Sequence, residues 1–215
     1  MRAIVCNTYG VLELQEIDKP EITDDGVLVR VHASSVNPAD RYSTLGTPYV
    51  ARPMMGLLKP RTNRVGTDFA GTVEAVGKDV TEFRPGDEVF GGKGGAYAEY
   101  VCVPQDRAVV PKPADVTFEQ AAAVPVAALT ALQGLRDKAQ VRPGHKVLIN
   151  GASGGVGTFA VQIAKALGAE VTGVCSTRNV DIVQSIGADH VVDYTREDFT
   201  QSGRRYDLMF DVAGS

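Results

Sequence analysis

The chain has 215 residues and a mass of 22.8 kDa, enough for one large domain or two small ones. A formal charge of −4 and a pI near 5.4 exclude a general positive field for nucleic acid, and no apolar run is long enough to span a bilayer. Three scattered cysteines, Cys6, Cys102 and Cys175, argue against a disulfide framework and against a cysteine-based zinc site. With no amino-terminal signal pattern, a cytoplasmic location is expected, with no nucleic acid and no membrane among the partners.

In chain order, short strand-like runs are expected over 2–7, 11–17, 27–35, 69–76, 88–91, 96–103 and 107–110, separated by glycine, proline and aspartate turns. That spacing predicts a small irregular β-barrel. A short helix interrupts it at 38–45, and residues 46–67 read as a long loop with three prolines and no periodicity. This loop carries Arg52, Lys59, Arg61 and Arg64 and, from Arg41 to Thr67, no acidic residue. A solvated loop and a mouth that attracts an anion both fit that bias.

Near residue 110 the pattern changes. Pro111-Lys112-Pro113 is a stiff connection, Thr117 caps a helix with Gln120 in the capping-box position, and alanine-rich sequence runs to about 139, split by Pro125. Strands expected over 146–149, 170–175, 190–193 and 206–212 then alternate with helices over 156–167, 179–186 and 197–201, which predicts βαβ units and a parallel sheet. The chain stops just after the fourth strand, whereas a full doubly wound domain has about six, so a fragment is expected.

Between the first of those strands and its helix lies Asn150-Gly-Ala-Ser-Gly-Gly-Val-Gly157. Glycines let bare backbone amides approach a diphosphate, and the start of the helix adds unpaired donors and the positive end of its dipole. The spacing is Ala152-x-Gly154-x-x-Gly157, with Ala at the first position of the usual motif; the strand and the amphipathic helix on either side restore the match. Ala152, Ser153, Gly154, Gly155, Val156 and Gly157 are therefore candidate phosphate-binding residues.

The runs Val36-Asn-Pro-Ala-Asp40, Val65–Gly77, Arg84-Pro-Gly-Asp-Glu-Val89 and Asn150–Gly157, in that order, resemble the medium-chain dehydrogenase/reductase superfamily, and most of all its zinc-independent, quinone oxidoreductase-like branch. The resemblance covers residues 2–214. It implies a fold class of α/β plus β: a GroES-like catalytic barrel over 1–115, then a Rossmann doubly wound parallel sheet over 116–215, truncated after its fourth strand, with the active site in the cleft between them. Relatives that bind zinc carry Cys where this chain has Asn37, His where it has Thr67, and a third ligand close to Pro125. Thr and Pro cannot replace such ligands, so no metal is expected.

The same resemblance places Asn37, Asp40 and Tyr42 beside the nicotinamide. Without zinc, hydrogen-bond donors must stabilise charge on the substrate oxygen; the Asn37 amide and the Tyr42 hydroxyl are the expected donors, with Asp40 orienting them. A plain structural role, Asn37 as a helix cap and Tyr42 as a packed aromatic, is the other reading. At the end of the second Rossmann strand Cys175 replaces the usual acid, and Ser176, Thr177 and Arg178 suit a 2′-phosphate, so NADPH is the expected coenzyme. Tyr194 matches a position near the adenosine, and Thr130 one at the nicotinamide amide.

These residues predict an NADPH-dependent reductase that transfers hydride to a quinone or an α,β-unsaturated carbonyl. The alternatives are a low-turnover NADPH-binding protein with a regulatory or structural role, and a metal-free alcohol or aldehyde oxidoreductase. A small-molecule substrate and, for the full-length protein, a homodimer are expected; a monomer stays open for this length of chain.

Overall fold

The computed structural model describes residues 1–107, 109–201 and 203–213. Ala108, inside the strand expected over 107–110, lies outside the described residues. The chain divides into two compact units, Met1–Val126 and Ala127–Ser215.

In the first unit, β1 (Arg2–Thr8) and β2 (Val11–Glu16) form an antiparallel hairpin, joined to the rest by isolated bridges from Ala3 to Ala98 and from Val5 to Arg64. A five-stranded antiparallel sheet follows, built from β3 (Gly26–Ser34), β4 (Asp68–Val76), β5 (Glu88–Gly92), β6 (Tyr100–Pro104) and β7 (Val109–Pro111) in the order β6-β3-β4-β5-β7. Alternation along β3 and β4 turns Val27, Val29, Phe69 and Val73 into a core closed by Val89, Val101 and Val103. Between β3 and β4 lie α1 (Pro38–Leu45) and, in the segment expected to be structureless, a 3-10 turn at Tyr49–Ala51 and α2 (Arg52–Met55). Pro53 sits in the first turn of α2, where its missing N–H costs nothing.

The strand expected from residue 96 begins only at Tyr100. The helix α3 (Phe118–Ala122), capped by Thr117 and Gln120 as its sequence predicts, packs its Ala121 and Ala122 against Ala70 and Phe90 of the barrel sheet. It therefore belongs with the first unit, although the change of composition near 110 assigns it to the second.

In the second unit β8 (Lys146–Asn150), β9 (Glu170–Cys175), β10 (His190–Asp193) and β11 (Leu208–Asp211) form a parallel sheet in the order β10-β9-β8-β11. Around it run α4 (Pro125–Leu132), which continues into a π-helical segment at Gln133–Lys138, then α5 (Gly155–Ala166) and α6 (Val180–Ser185). Val147, Ile149, Val161, Ala164 and Val171 are buried between α5 and the sheet. The helix expected over 197–201 is only a 3-10 turn, Phe199–Gln201. Among the described residues no helix is long and apolar enough to cross a membrane.

Candidate functional site

The candidate residues fall into two groups, one in each unit. In the first unit Pro38 opens α1, Gly46 ends it in the left-handed conformation, and the Asp40 carboxylate turns back to accept the Asn37 N–H at 2.8 Å. Asp40 also accepts from Thr67 Oγ1 at 2.8 Å and from the Tyr97 hydroxyl at 3.1 Å, a proton that Tyr97 shares with the Ser35 carbonyl at 3.2 Å. Asp40 is buried and accepts from three donors, a geometry compatible with an orienting role.

Asn37 is held in a different way from its expected role. Its amide nitrogen donates to Asp68 Oδ2 at 3.0 Å and, more weakly, to Ser35 Oγ at 3.4 Å. Both protons are spent inside the protein, so the side chain has none left to offer a substrate oxygen. Tyr42 is 49% exposed on the same helix and stands outside this network.

Asp68 was not a candidate on sequence grounds. It is fully buried on β4, and its Oδ2 also accepts from Ser35 Oγ at 3.0 Å and the Val126 N–H at 3.2 Å, while Oδ1 is buried with no hydrogen-bond partner among the described residues. Burial pushes its carboxyl above the usual range, against the pull of Asn37, Val126 and Ser35. Burial, then the Asp40 charge, raises the Tyr97 phenol as well. The sequence signal for Asp68 is an acid that opens a strand and is followed at once by the apolar run Phe69-Ala70-Gly71.

The same contacts decide whether zinc fits. Zinc is held by thiolate, imidazole or carboxylate ligands; Asn37 is a neutral amide that donates to an acid, Thr67 is a neutral hydroxyl that donates to Asp40, and Pro125 has no ligating atom in its side chain. The donor set does not fit the metal. Among the described residues no group of three or more His, Cys, Asp or Glu side chains could hold a metal ion.

In the second unit the glycine turn stands at the carboxyl end of β8 and leads into α5. Gly157 is obligatory for packing, because a Cβ there would lie 2.0 Å from the Gly151 carbonyl oxygen. Gly155 differs: a Cβ would meet nothing within 4 Å, so the space before it is open. Gly154 caps α5 without a side-chain hydrogen bond. The amides of Gly155, Val156 and Gly157 thus start a helix whose geometry gives them no intrahelical acceptor, and an anion can take that place. Ala152 is in another situation; it is fully buried and its N–H donates to the Val174 carbonyl at 3.0 Å, which makes it a packing residue.

Ser153, Ser176 and Tyr194 follow the ends of β8, β9 and β10, so the parallel sheet brings these candidates to one edge. Asn179, not singled out by sequence, joins two of them: its amide nitrogen donates to Ser153 Oγ at 3.0 Å and to Ser176 Oγ at 3.2 Å. Thr177 is withdrawn from ligand duty, since its hydroxyl lies 2.5 Å from Asp193 Oδ2. Arg178 and Tyr194 are exposed, and the Tyr194 N–H donates to the Cys175 carbonyl. Thr130 lies on α4.

Two family models match the chain, "Alcohol dehydrogenase GroES-like domain" over residues 23–114 and "Zinc-binding dehydrogenase" over 155–215. The chain is 38% identical to the chloroplastic quinone-oxidoreductase homolog of Spinacia oleracea, with 97% of this chain and 67% of that protein covered. It is 32% identical to the chloroplastic NADPH-dependent alkenal/one oxidoreductase of Arabidopsis thaliana, covering all of this chain and 58% of the relative. Among solved structures, the quinone oxidoreductase from Coxiella burnetii superposes with a TM-score of 0.90 at 36% identity, over all of this chain and 69% of the other. The chain spans between 55% and 68% of the length of the curated relatives it matches. By this sequence identity and this fold, the chain belongs to the medium-chain dehydrogenase/reductase superfamily, in its quinone oxidoreductase-like branch.

Proposed function

We propose that the whole protein is an NADPH-dependent reductase that adds hydride and a proton across a quinone or an α,β-unsaturated carbonyl without zinc. The observation that carries the coenzyme assignment is the uncapped start of α5, with open space in front of Gly155 and a glycine turn beside it. Relatives named as quinone oxidoreductase homolog and alkenal/one oxidoreductase support the acceptor class. The coenzyme, when bound, supplies two electrons as hydride.

The rest is the work of the chain's own residues. The amides at 155–157 bind the diphosphate, and Ser176 with Arg178 binds the 2′-phosphate, which favours NADPH over NADH. Tyr42 supplies the proton, its exposed hydroxyl being the donor left after Asn37 is committed to Asp68. Asn37, Asp40 and Asp68 fix the turn that carries α1. Zinc independence is supported by the mismatch between Asn37, Thr67 and Pro125 and the ligands zinc requires.

NADPH oxidation measured with a quinone, an enone and a simple aldehyde tests the proposal. Turnover with the first two and little with the third is expected. Tight NADPH binding with no turnover of a quinone or an enone would replace it with a coenzyme-binding role.

A further inference from the structure

We infer that Asn179 is the clasp that turns two serine hydroxyls outward as donors to the coenzyme, an inference that rests on the coenzyme reading above. A serine hydroxyl has one proton and two lone pairs. Asn179 donates one N–H to Ser153 Oγ and the other to Ser176 Oγ, so each oxygen has a lone pair filled from inside the protein. Each O–H proton then points elsewhere, and among the described residues neither has an acceptor of its own.

The placement of the two serines gives those protons a use. Ser153 lies in the turn before α5, beside the uncapped amides at 155–157, and Ser176 follows β9 just before Arg178. One amide therefore ties the diphosphate end of the site to its 2′-phosphate end and sets the hydrogen-bond polarity of both. Asn179 is itself fixed, its N–H donating to the Ser176 carbonyl at 2.9 Å. An acceptor-only side chain at this position would reverse the arrangement, because both hydroxyls would then donate inward to it and leave lone pairs facing the phosphates.

Fluorescence titration of the full chain with NADPH tests this, with thermal unfolding as the control for folding. Asn179→Ala should weaken NADPH about tenfold, and Asn179→Asp, which accepts but cannot donate and adds a negative charge, about a hundredfold, with the melting curves little moved. In a chain already carrying Ser153→Ala and Ser176→Ala, adding Asn179→Ala should cost no more than about twofold, since the groups it orients are gone. Wild-type affinity in a folded Asn179→Ala chain, or the same tenfold loss in the double-serine background, would overturn the clasp while leaving the coenzyme reading intact. A wild-type chain that titrated with neither NADPH nor NADH would overturn both.

Discussion

The side-chain amide of Asn37 is locked onto Asp68 Oδ2 at 3.0 Å, and through that single oxygen the β3–α1 turn is tied to Ser35 and to the backbone of Val126. Among the described residues three donors crowd one oxygen and the other has none. A buried oxygen without a partner costs about 1–3 kcal/mol. The arrangement is a positional anchor, not an economy of stability, and it explains why Asn37 has no proton left for chemistry.

The anchor has a pH signature. Burial raises the folded-state pKa of Asp68, so the stability that goes with its protonated form is complete below the ordinary carboxylate value and is lost as the pH rises through the folded value. Asp68→Asn removes that titration. The melting temperature of the variant relative to the native chain should therefore rise as the pH goes from about 3 to about 8. A difference that is flat across that range would mean that Asp68 is charged at no net cost.

The proton donor is tested on its neighbour in the same helix. Tyr42→Phe removes one exposed hydroxyl and no packed group, so folding should be unaffected. Turnover with an enone should fall by about a hundredfold, the usual scale for loss of a general acid, while NADPH affinity stays unchanged. Retention of the full rate would transfer the role to solvent or to another side chain.

The two ends of the glycine turn should respond in opposite ways. Gly157→Ala drives a methyl into the Gly151 carbonyl, 2.0 Å from the new carbon, and should destabilise the chain by about 3 kcal/mol or more. Gly155→Ala meets no atom within 4 Å and should leave the melting temperature unchanged or slightly higher, yet place its methyl where the diphosphate must come. Calorimetry and NADPH titration together separate the cases. Tight NADPH binding by Gly155→Ala would show that the open space is not where the anion sits.

How much of this was legible in the sequence depends on the range of the contact. Pro38, Asp40 and Gly46 mark α1, and Thr117 with Gln120 marks α3, because caps act over three or four residues. The glycine turn and the four parallel strands are local in the same sense. The direction of the Asn37 amide was not legible, since it depends on Asp68 across 31 positions in the chain. Nor was the loss of the Thr177 hydroxyl, which is taken by an acid 16 residues away on the neighbouring strand. The packing of α3 on the barrel likewise depends on Ala70 and Phe90, which no helical pattern at 118–122 reveals.

In the proposed function coenzyme choice rests on Arg178 and Ser176, and the residue between them, Thr177, takes no part. The Asp193 carboxylate, at the end of β10, accepts from Thr177 Oγ1, Thr195 Oγ1 and the Thr195 N–H and pairs with Arg196 at 3.4 Å. The Thr177 bond, with those of Thr195, holds its acid below the usual carboxylate range, so it is anionic and keeps the Thr177 proton. Thr177→Ala should therefore change the affinity for NADPH by no more than about twofold in either direction. Arg178 is exposed and is the guanidinium next to Ser176, so Arg178→Ala should weaken NADPH by about ten- to a hundredfold, the worth of a charge-assisted pair, and NADH by about twofold at most. Raising the salt concentration should shrink the NADPH effect, because the pair is solvent-exposed. Equal losses for both coenzymes in Arg178→Ala would place the 2′-phosphate elsewhere and remove the ground for preferring NADPH.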